Sequence, residues 1–274
     1  MRSVELIESW PVEHAGTAVV SADGEVLASH GDLDKVFPLA SVSKLLTAYA
    51  ALVAVEEGAV ELDDPAGPEG ATIRHLLAHT AGYDFSERTV RAAPGERRIY
   101  SNVGFEVLAE TITERAGIDF AAYAREAVLA PLSMASTDVS GSPAAGARST
   151  VTDLARFAAE LQRPTLLHPE TVAEATSVVF PGLDGVVPGF GRQRPNDWGL
   201  GFEIRDGKSP HWTGTQSSPR TFGHFGQSGT FLWVDPAAGI ACVALTDRDF
   251  GPWAAEVWPD FTDAVLAEHG RVGA

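Results

Sequence analysis

The order of signals along the chain predicts an α+β fold. One antiparallel sheet is built from the N- and C-terminal segments and flanked by helices, and a mostly helical lobe is inserted between them. Three observations predict it: a hairpin pattern at 16–30, helical patterns through most of 58–175, and strand signals returning at 199–205, which alternates, and at 230–234 and 240–245. Strands, then helices, then strands differ from the regular β-α alternation of a parallel-sheet protein. A chain of 274 residues fits one large domain. Residues 1–57 and 199–274 are assigned to the sheet lobe of a single domain 1–274, and residues 58–198 to its helical lobe.

The elements follow in order. Thr17 to Val20 and Glu25 to Ala28 flank Ala22-Asp23-Gly24, and the Asp-Gly pair is a hairpin signal. Phe37-Pro38-Leu39-Ala40-Ser41-Val42-Ser43-Lys44 reads as a turn feeding a helix, continued by the apolar run Leu45 to Val55 and stopped near Gly58. Such a helix, apolar on most sides, is buried. Residues 71–82 read as a short amphipathic helix with Thr72 as cap and Gly82 as stop. A polar loop at 91–98 leads to a helix opening near Ser101-Asn102 and closing at Ala116-Gly117. Further helices are expected at about 120–129 and from Thr152 to about Leu161, with a small-residue loop at 140–147. Residues 180–198, rich in glycine and proline, read as a long irregular surface loop, a type often used for function. The tail at 253–269 reads as a helix that Pro259 should kink or interrupt.

Bulk properties narrow the function. A formal charge of −17 argues against nucleic acid or an anionic membrane surface as partner. The single cysteine, Cys242, lies in an apolar run and reads as a small core residue. The first eight residues carry acids and no apolar core of a secretory signal. No apolar run of about 18 residues is present. With Met1 read as a native start, a cytoplasmic protein is expected. His75 and His79 stand at i and i+4, a spacing that can hold a metal. The glutamate of H-E-x-x-H is missing, so both read as structural, and no metal or organic cofactor is expected.

Ser41 and Lys44 stand three apart at a helix start, so hydroxyl and amine share one face. Serine there is also a common N-cap. The chain has 17 arginines and only three lysines, Lys35, Lys44 and Lys208, so arginine carries its ordinary positive charge. A desolvated lysine can act as a base, whereas arginine cannot deprotonate.

Three clusters, Ser41/Lys44, Tyr100/Asn102 and His224/Gly226, together resemble the serine β-lactamase and penicillin-binding superfamily, whose order is S-x-x-K, Y-x-N, then K-T-G or a variant. The branch holding class C β-lactamases, D-Ala-D-Ala carboxypeptidases and β-lactamase-like esterases is the most similar. Thr72 to Gly82 resembles that branch's T-I-R-H-L-L-x-H-T-S-G, and the resemblance runs from about residue 16 to 248. It implies Ser41 as nucleophile, Lys44 and Tyr100 as one coupled base, and Asn102 holding both the Lys44 amine and a substrate oxygen. It also implies an oxyanion hole from the backbone N–H groups of Ser41 and Gln227. Gly226 would admit substrate to the strand edge, with Phe225 beside it. A Lys44 ammonium is expected to lower the Tyr100 pKa.

The third motif departs from the pattern. His224-Phe225-Gly226 lacks the lysine and threonine that hold a carboxylate in the resembled enzymes, and histidine is mostly neutral near pH 7. The expected activity is therefore hydrolysis of small carboxylic esters or amides through an acyl-Ser41 intermediate. β-Lactam hydrolysis, D-amino-acid peptidase action and acyl transfer at the same site are the alternatives. A penicillin-binding sensor that acylates and stalls is the reading from a different class. The partner in every case is a small ester, amide or lactam. The oligomeric state is left open.

Overall fold

The computed structural model describes residues 2–271, so Met1 lies outside the described residues. Its central sheet contains β1 (Ala15–Ser21), β2 (Val26–Gly31), β7 (Glu203–Ile204), β8 (Phe222–Gly226), β9 (Thr230–Asp235) and β10 (Ile240–Thr246). Their order is β2-β1-β10-β9-β8-β7, antiparallel throughout. The first and last strands in sequence therefore meet at the middle, Ala15 facing Thr246 and Ser21 facing Ile240. The fold is the α+β arrangement expected from the sequence.

The strands β9 and β10 are buried at every position because both faces of the sheet are covered. Ala241, Val243 and Leu245 pack into a core with α1 (Ser43–Glu56) and α5 (Val151–Gln162). The alternate residues Ile240, Cys242 and Ala244 pack against α7 (Pro252–His269). A strand covered on both sides reads as a continuous apolar run, as 240–245 does. Cys242 is fully buried and its thiol is pushed up to about 12 by burial.

Besides α1, the α-helices between β2 and β7 are α2 (Ile73–Leu77), α3 (Asn102–Ala116), α4 (Phe120–Ala124), α5 and α6 (Pro169–Ala175), with a π-helical turn at Arg125–Leu129. A two-residue pairing of β3 (Phe37–Pro38) with β4 (Arg148–Ser149) ties the chain before Ser41 to this segment.

Several boundaries differ from the sequence expectation. The helix begun at Thr72 ends at Leu77 rather than near Gly82. His79 adopts a left-handed φ of 57°, which no α-helix sustains. Pro259 lies inside an unbroken α7. Burial of Trp258, Phe261 and Val265 against the sheet outweighs the lost backbone hydrogen bond. The expected irregular loop at 180–198 contains a hairpin, β5 (Gly185–Val187) and β6 (Gly191–Gln193). Residues 199–205 yield only the two-residue β7. The β8 strand, the 3-10 helix at Ser3–Ser9 and α6 were not foreseen.

Candidate active site

The chain enters α1 through a 3-10 turn at Ala40–Val42, which carries Ser41. Ala40 holds a φ of 45°, a strained conformation for a residue with a Cβ. The turn is over-determined by its neighbours. The Leu39 N–H donates to the Ala147 carbonyl at 2.9 Å. Thr230 Oγ1 donates to the Leu39 carbonyl at 3.0 Å, and Ser228 Oγ donates to that of Pro38 at 2.7 Å.

Gly226 completes this clamp. A Cβ there would lie 2.3 Å from the Leu39 carbonyl oxygen, 2.6 Å from Thr230 Oγ1 and 3.2 Å from the Ala40 Cβ. The sequence reading gave this glycine to substrate approach, whereas its missing side chain makes room for the turn that carries Ser41. Gly226→Ala is therefore expected to cost about 1–3 kcal/mol, as overpacking does, and to lower turnover more than tenfold by moving Ser41. Urea unfolding and ester kinetics on the variant check this; a variant of unchanged stability would show that the turn can yield.

Lys44 sits one helical turn on and is fully buried. Its Nζ donates to Asn102 Oδ1 at 2.6 Å and to the Ala144 carbonyl at 2.8 Å, and lies 3.4 Å from Ser41 Oγ. It also stands 4.7 Å from the Tyr100 ring centroid. Burial pulls its pKa down to about 7, against the opposing charge of Glu106. Asn102 is delivered by the first turn of α3. The N-cap is its neighbour Ser101, whose Oγ accepts the Gly104 N–H at 3.1 Å, which leaves the Asn102 side chain free to meet Lys44.

His224 lies on β8 with its Nδ1 2.6 Å from the Phe225 carbonyl. A carbonyl only accepts, so Nδ1 carries the proton and Nε2 is bare. Nε2 then accepts the Tyr100 hydroxyl at 3.2 Å. Burial, then the Lys44 charge, lower the His224 pKa to about 3. Burial also pushes the Tyr100 phenol well above its ordinary value; the Ser41 hydroxyl opposes this and the Glu203 charge adds to it. The sequence expectation that Lys44 lowers Tyr100 is thereby corrected. Desolvation of the phenolate dominates, and Lys44 is not among the causes acting on it.

Ser41, Tyr100, His224, Phe225 and Gln227 line one cavity of about 310 Å³. Phe225 also packs edge-on or tilted against Trp212, Phe250 and Trp258, so it serves the core as well as the cavity wall. The remaining wall comes from Phe85, Val186, Val187, Pro188, Trp198 and Glu203, none of which the sequence reading singled out. The hairpin residues Val186 and Pro188 could not be placed without the β5–β6 pairing. Trp198 and Glu203 had a weak signal, flanking the Gly199-Leu200-Gly201-Phe202 run. A wider outer space of about 860 Å³ shares Phe85, Tyr100, Val186 and Pro188 with this cavity.

The two histidines near Thr72 have structural partners. His75 Nδ1 meets Thr72 Oγ1 at 2.9 Å. His79 Nδ1 accepts the Ser101 N–H at 3.2 Å, and its ring packs 4.6 Å from that of Tyr100. Among the described residues no group of three or more His, Cys, Asp or Glu is arranged to hold a metal. No helix there is long and apolar enough to cross a membrane.

Comparison with known proteins gives the family and the fold. A β-lactamase from Mycobacterium bovis has a structure that superposes with a TM-score of 0.97 at 57% identity, covering 98% of this chain and 100% of that one. The unliganded simvastatin synthase of Aspergillus terreus superposes at 0.80 with 17% identity over 97% and 96% of the two chains. The hydrolase EstCE1, with promiscuous acyltransferase activity, superposes at 0.78 with 20% identity over 96% of each; these last two share the fold. The D-alanyl-D-alanine-carboxypeptidase/endopeptidase AmpH of Escherichia coli (strain K12) is 27% identical over 177 residues, 47% of this chain and 46% of that protein. Penicillin-binding protein 4* of Bacillus subtilis is 27% identical over 169 residues, 45% of this chain and 38% of that protein. The matches thus span less than half the length of these curated relatives. The family model described as Beta-lactamase matches residues 12–267. The chain belongs to the Beta-lactamase family, and is an enzyme of the class C-like serine β-lactamase and penicillin-binding superfamily.

Proposed function

We propose that the protein hydrolyses small carboxylic esters through an acyl-Ser41 intermediate. The observation that carries this reading is the arrangement around Lys44 Nζ. A neutral amine has two N–H donors and one lone pair. The two short contacts, to Asn102 Oδ1 and the Ala144 carbonyl, are to oxygens that only accept, so they take both N–H groups. The lone pair is left to face Ser41 Oγ. Burial brings its pKa down to about 7, so a large share of the amine is neutral at pH 7, as a general base requires.

In the proposed reaction Ser41 Oγ attacks the ester carbonyl carbon while Lys44 takes its proton. The backbone N–H groups of Ser41 and Gln227 receive the developing oxyanion; one such donor is typically worth ~2.7–4 kcal/mol. The tetrahedral intermediate collapses, the alcohol oxygen leaves, and the Lys44 ammonium returns the proton to it. Tyr100, kept protonated by its burial, serves as a hydrogen-bond donor in place of a phenolate base. Water then attacks the acyl-enzyme, again giving its proton to Lys44, and Ser41 is regenerated.

A second reading, β-lactam hydrolysis, is favoured by one observation, the 57% identity to a protein named a β-lactamase. Against it stands the neutral, buried His224 where a cationic lysine would hold the lactam's carboxylate. Hydrolysis of p-nitrophenyl acetate and butyrate beside the chromogenic lactam nitrocefin separates the two. Ester turnover with nitrocefin untouched is the expected result; efficient nitrocefin turnover would replace the ester reading with the lactam one.

A further inference from the structure

Glu203 is a buried carboxylate in the wall of the catalytic cavity, and the ester mechanism does not use it. On β7 it pairs with Gly223, the residue before His224. Its side chain is 2% exposed. Trp212 Nε1 donates to its Oε2 at 2.6 Å. His211 Nε2 donates to its Oε1 at 3.2 Å, because His211 Nδ1 is occupied in accepting the Thr213 N–H. Lys208 Nζ stands 3.3 Å from the same Oε1 and donates to the Asp197 and Ile204 carbonyls. Burial works against the carboxylate, but Lys208 and the His211 and Trp212 donors outweigh it and hold the group well below the usual carboxylate range.

Besides Lys208, the nearest cations outside the cavity lining are Lys44, behind Ser41, and Arg97, Arg98 and Arg192 in the wider outer space. Among the described residues lining the cavity, Glu203 alone carries a formal charge at pH 7, since burial keeps His224 neutral and Tyr100 protonated. The Glu203 charge reaches both of these residues, raising the pKa of each. Glu203 lines the cavity and its ion-pair partner Lys208 does not, so the carboxylate is the nearer charge of the pair to bound substrate. Much of the remaining lining is apolar: Val186, Val187, Pro188 and Phe85.

We propose that Glu203 is a specificity-determining residue that restricts the site to uncharged esters with an apolar acyl group, and rejects substrates bearing a carboxylate next to the scissile bond. This rests on the ester-hydrolase reading above. A unit charge held at several ångströms from Glu203 across a partly desolvated cavity is repelled strongly enough to lower kcat/KM about tenfold or more.

Two esters with the same acyl group test it: 3-carbamoylphenyl butyrate, which is neutral, and 3-carboxyphenyl butyrate, which is anionic. Rates are measured in about 0.5 M salt, where screening within ~5 Å removes the long-range repulsion of the acidic chain. The expected result is a preference of tenfold or more for the neutral ester. In Glu203→Gln, where Lys208 is left uncompensated, the preference should collapse or invert. The double variant Glu203→Gln/Lys208→Met removes both charges, and its ratio should approach one; it serves if the single variant does not fold. Equal rates on the two esters in the unaltered protein would overturn the proposal with no variant needed. So would an undiminished preference in either folded variant. Failure to hydrolyse either ester would instead overturn the hydrolase reading, and this proposal with it.

Discussion

Ester turnover is expected to fall about 10⁴-fold or more in Ser41→Ala, nearly as far in Lys44→Arg, and no further in the double variant. Ser41→Ala removes the attacking oxygen and leaves only whatever catalysis the oxyanion donors and the cavity supply. Lys44→Arg keeps a cation and offers more N–H donors than the amine it replaces, yet a guanidinium has no lone pair for the Ser41 proton. A purely electrostatic role for Lys44 would survive that exchange; a base would not. Two groups acting in one proton transfer lose their function together, so the losses should not add. Steady-state kinetics on the three variants, with near- and far-ultraviolet circular dichroism as a check on folding, decide the matter. Activity surviving in Ser41→Ala would sink the assignment of the nucleophile. Lys44→Arg working within tenfold of the unaltered enzyme would leave Ser41 without its base.

The parts of this protein legible in the sequence are those governed by short-range chemistry. Ser41 and Lys44 stand three apart where a turn feeds a helix, a spacing that puts them on one face, and Asp23-Gly24 closes a hairpin by its own turn preference. The apolar run at 240–245 announced a strand covered on both faces. The roles that needed tertiary contacts were read less well. Gly226 looked like a substrate-side glycine until the Leu39 carbonyl was seen to fill its place. Tyr100 was expected to be acidified by Lys44. The depth of its burial, which no local pattern announces, reverses the sign. Val186 and Pro188 enter the cavity wall only because Gly189 and Gly191, both at positive φ, turn a proline-rich segment back as a hairpin. Pro259 reads as a helix breaker in isolation, and the aromatic residues beside it keep α7 intact.

The property that fits Lys44 to be a base should also be visible in the stability of the fold. In the unfolded chain a lysine keeps its proton to about pH 10.4, while the buried Lys44 gives it up near pH 7. Between those values the unfolded state binds one more proton than the folded state at this residue, so raising the pH favours folding by ~1.4 kcal/mol per pH unit. Below about pH 7 both states are protonated and burial imposes its full, constant cost; above about pH 10.4 both are neutral and that cost has gone. Lys44→Met has no such group; it also relieves His224 of the Lys44 charge, but that histidine titrates well below this pH range. The stability difference between the two should therefore move in favour of the unaltered protein by about 3–4 kcal/mol from pH 7 to pH 10. Urea unfolding of both proteins across that range measures it. The rising limb of kcat/KM for the neutral ester should have its midpoint near the pH at which the stability difference begins to climb, because one ionisation controls both. Parallel stability curves would mean that Lys44 titrates in the fold as it does in the unfolded chain. It would then be an ammonium at neutral pH, with no lone pair for Ser41, and the proton would have to go elsewhere.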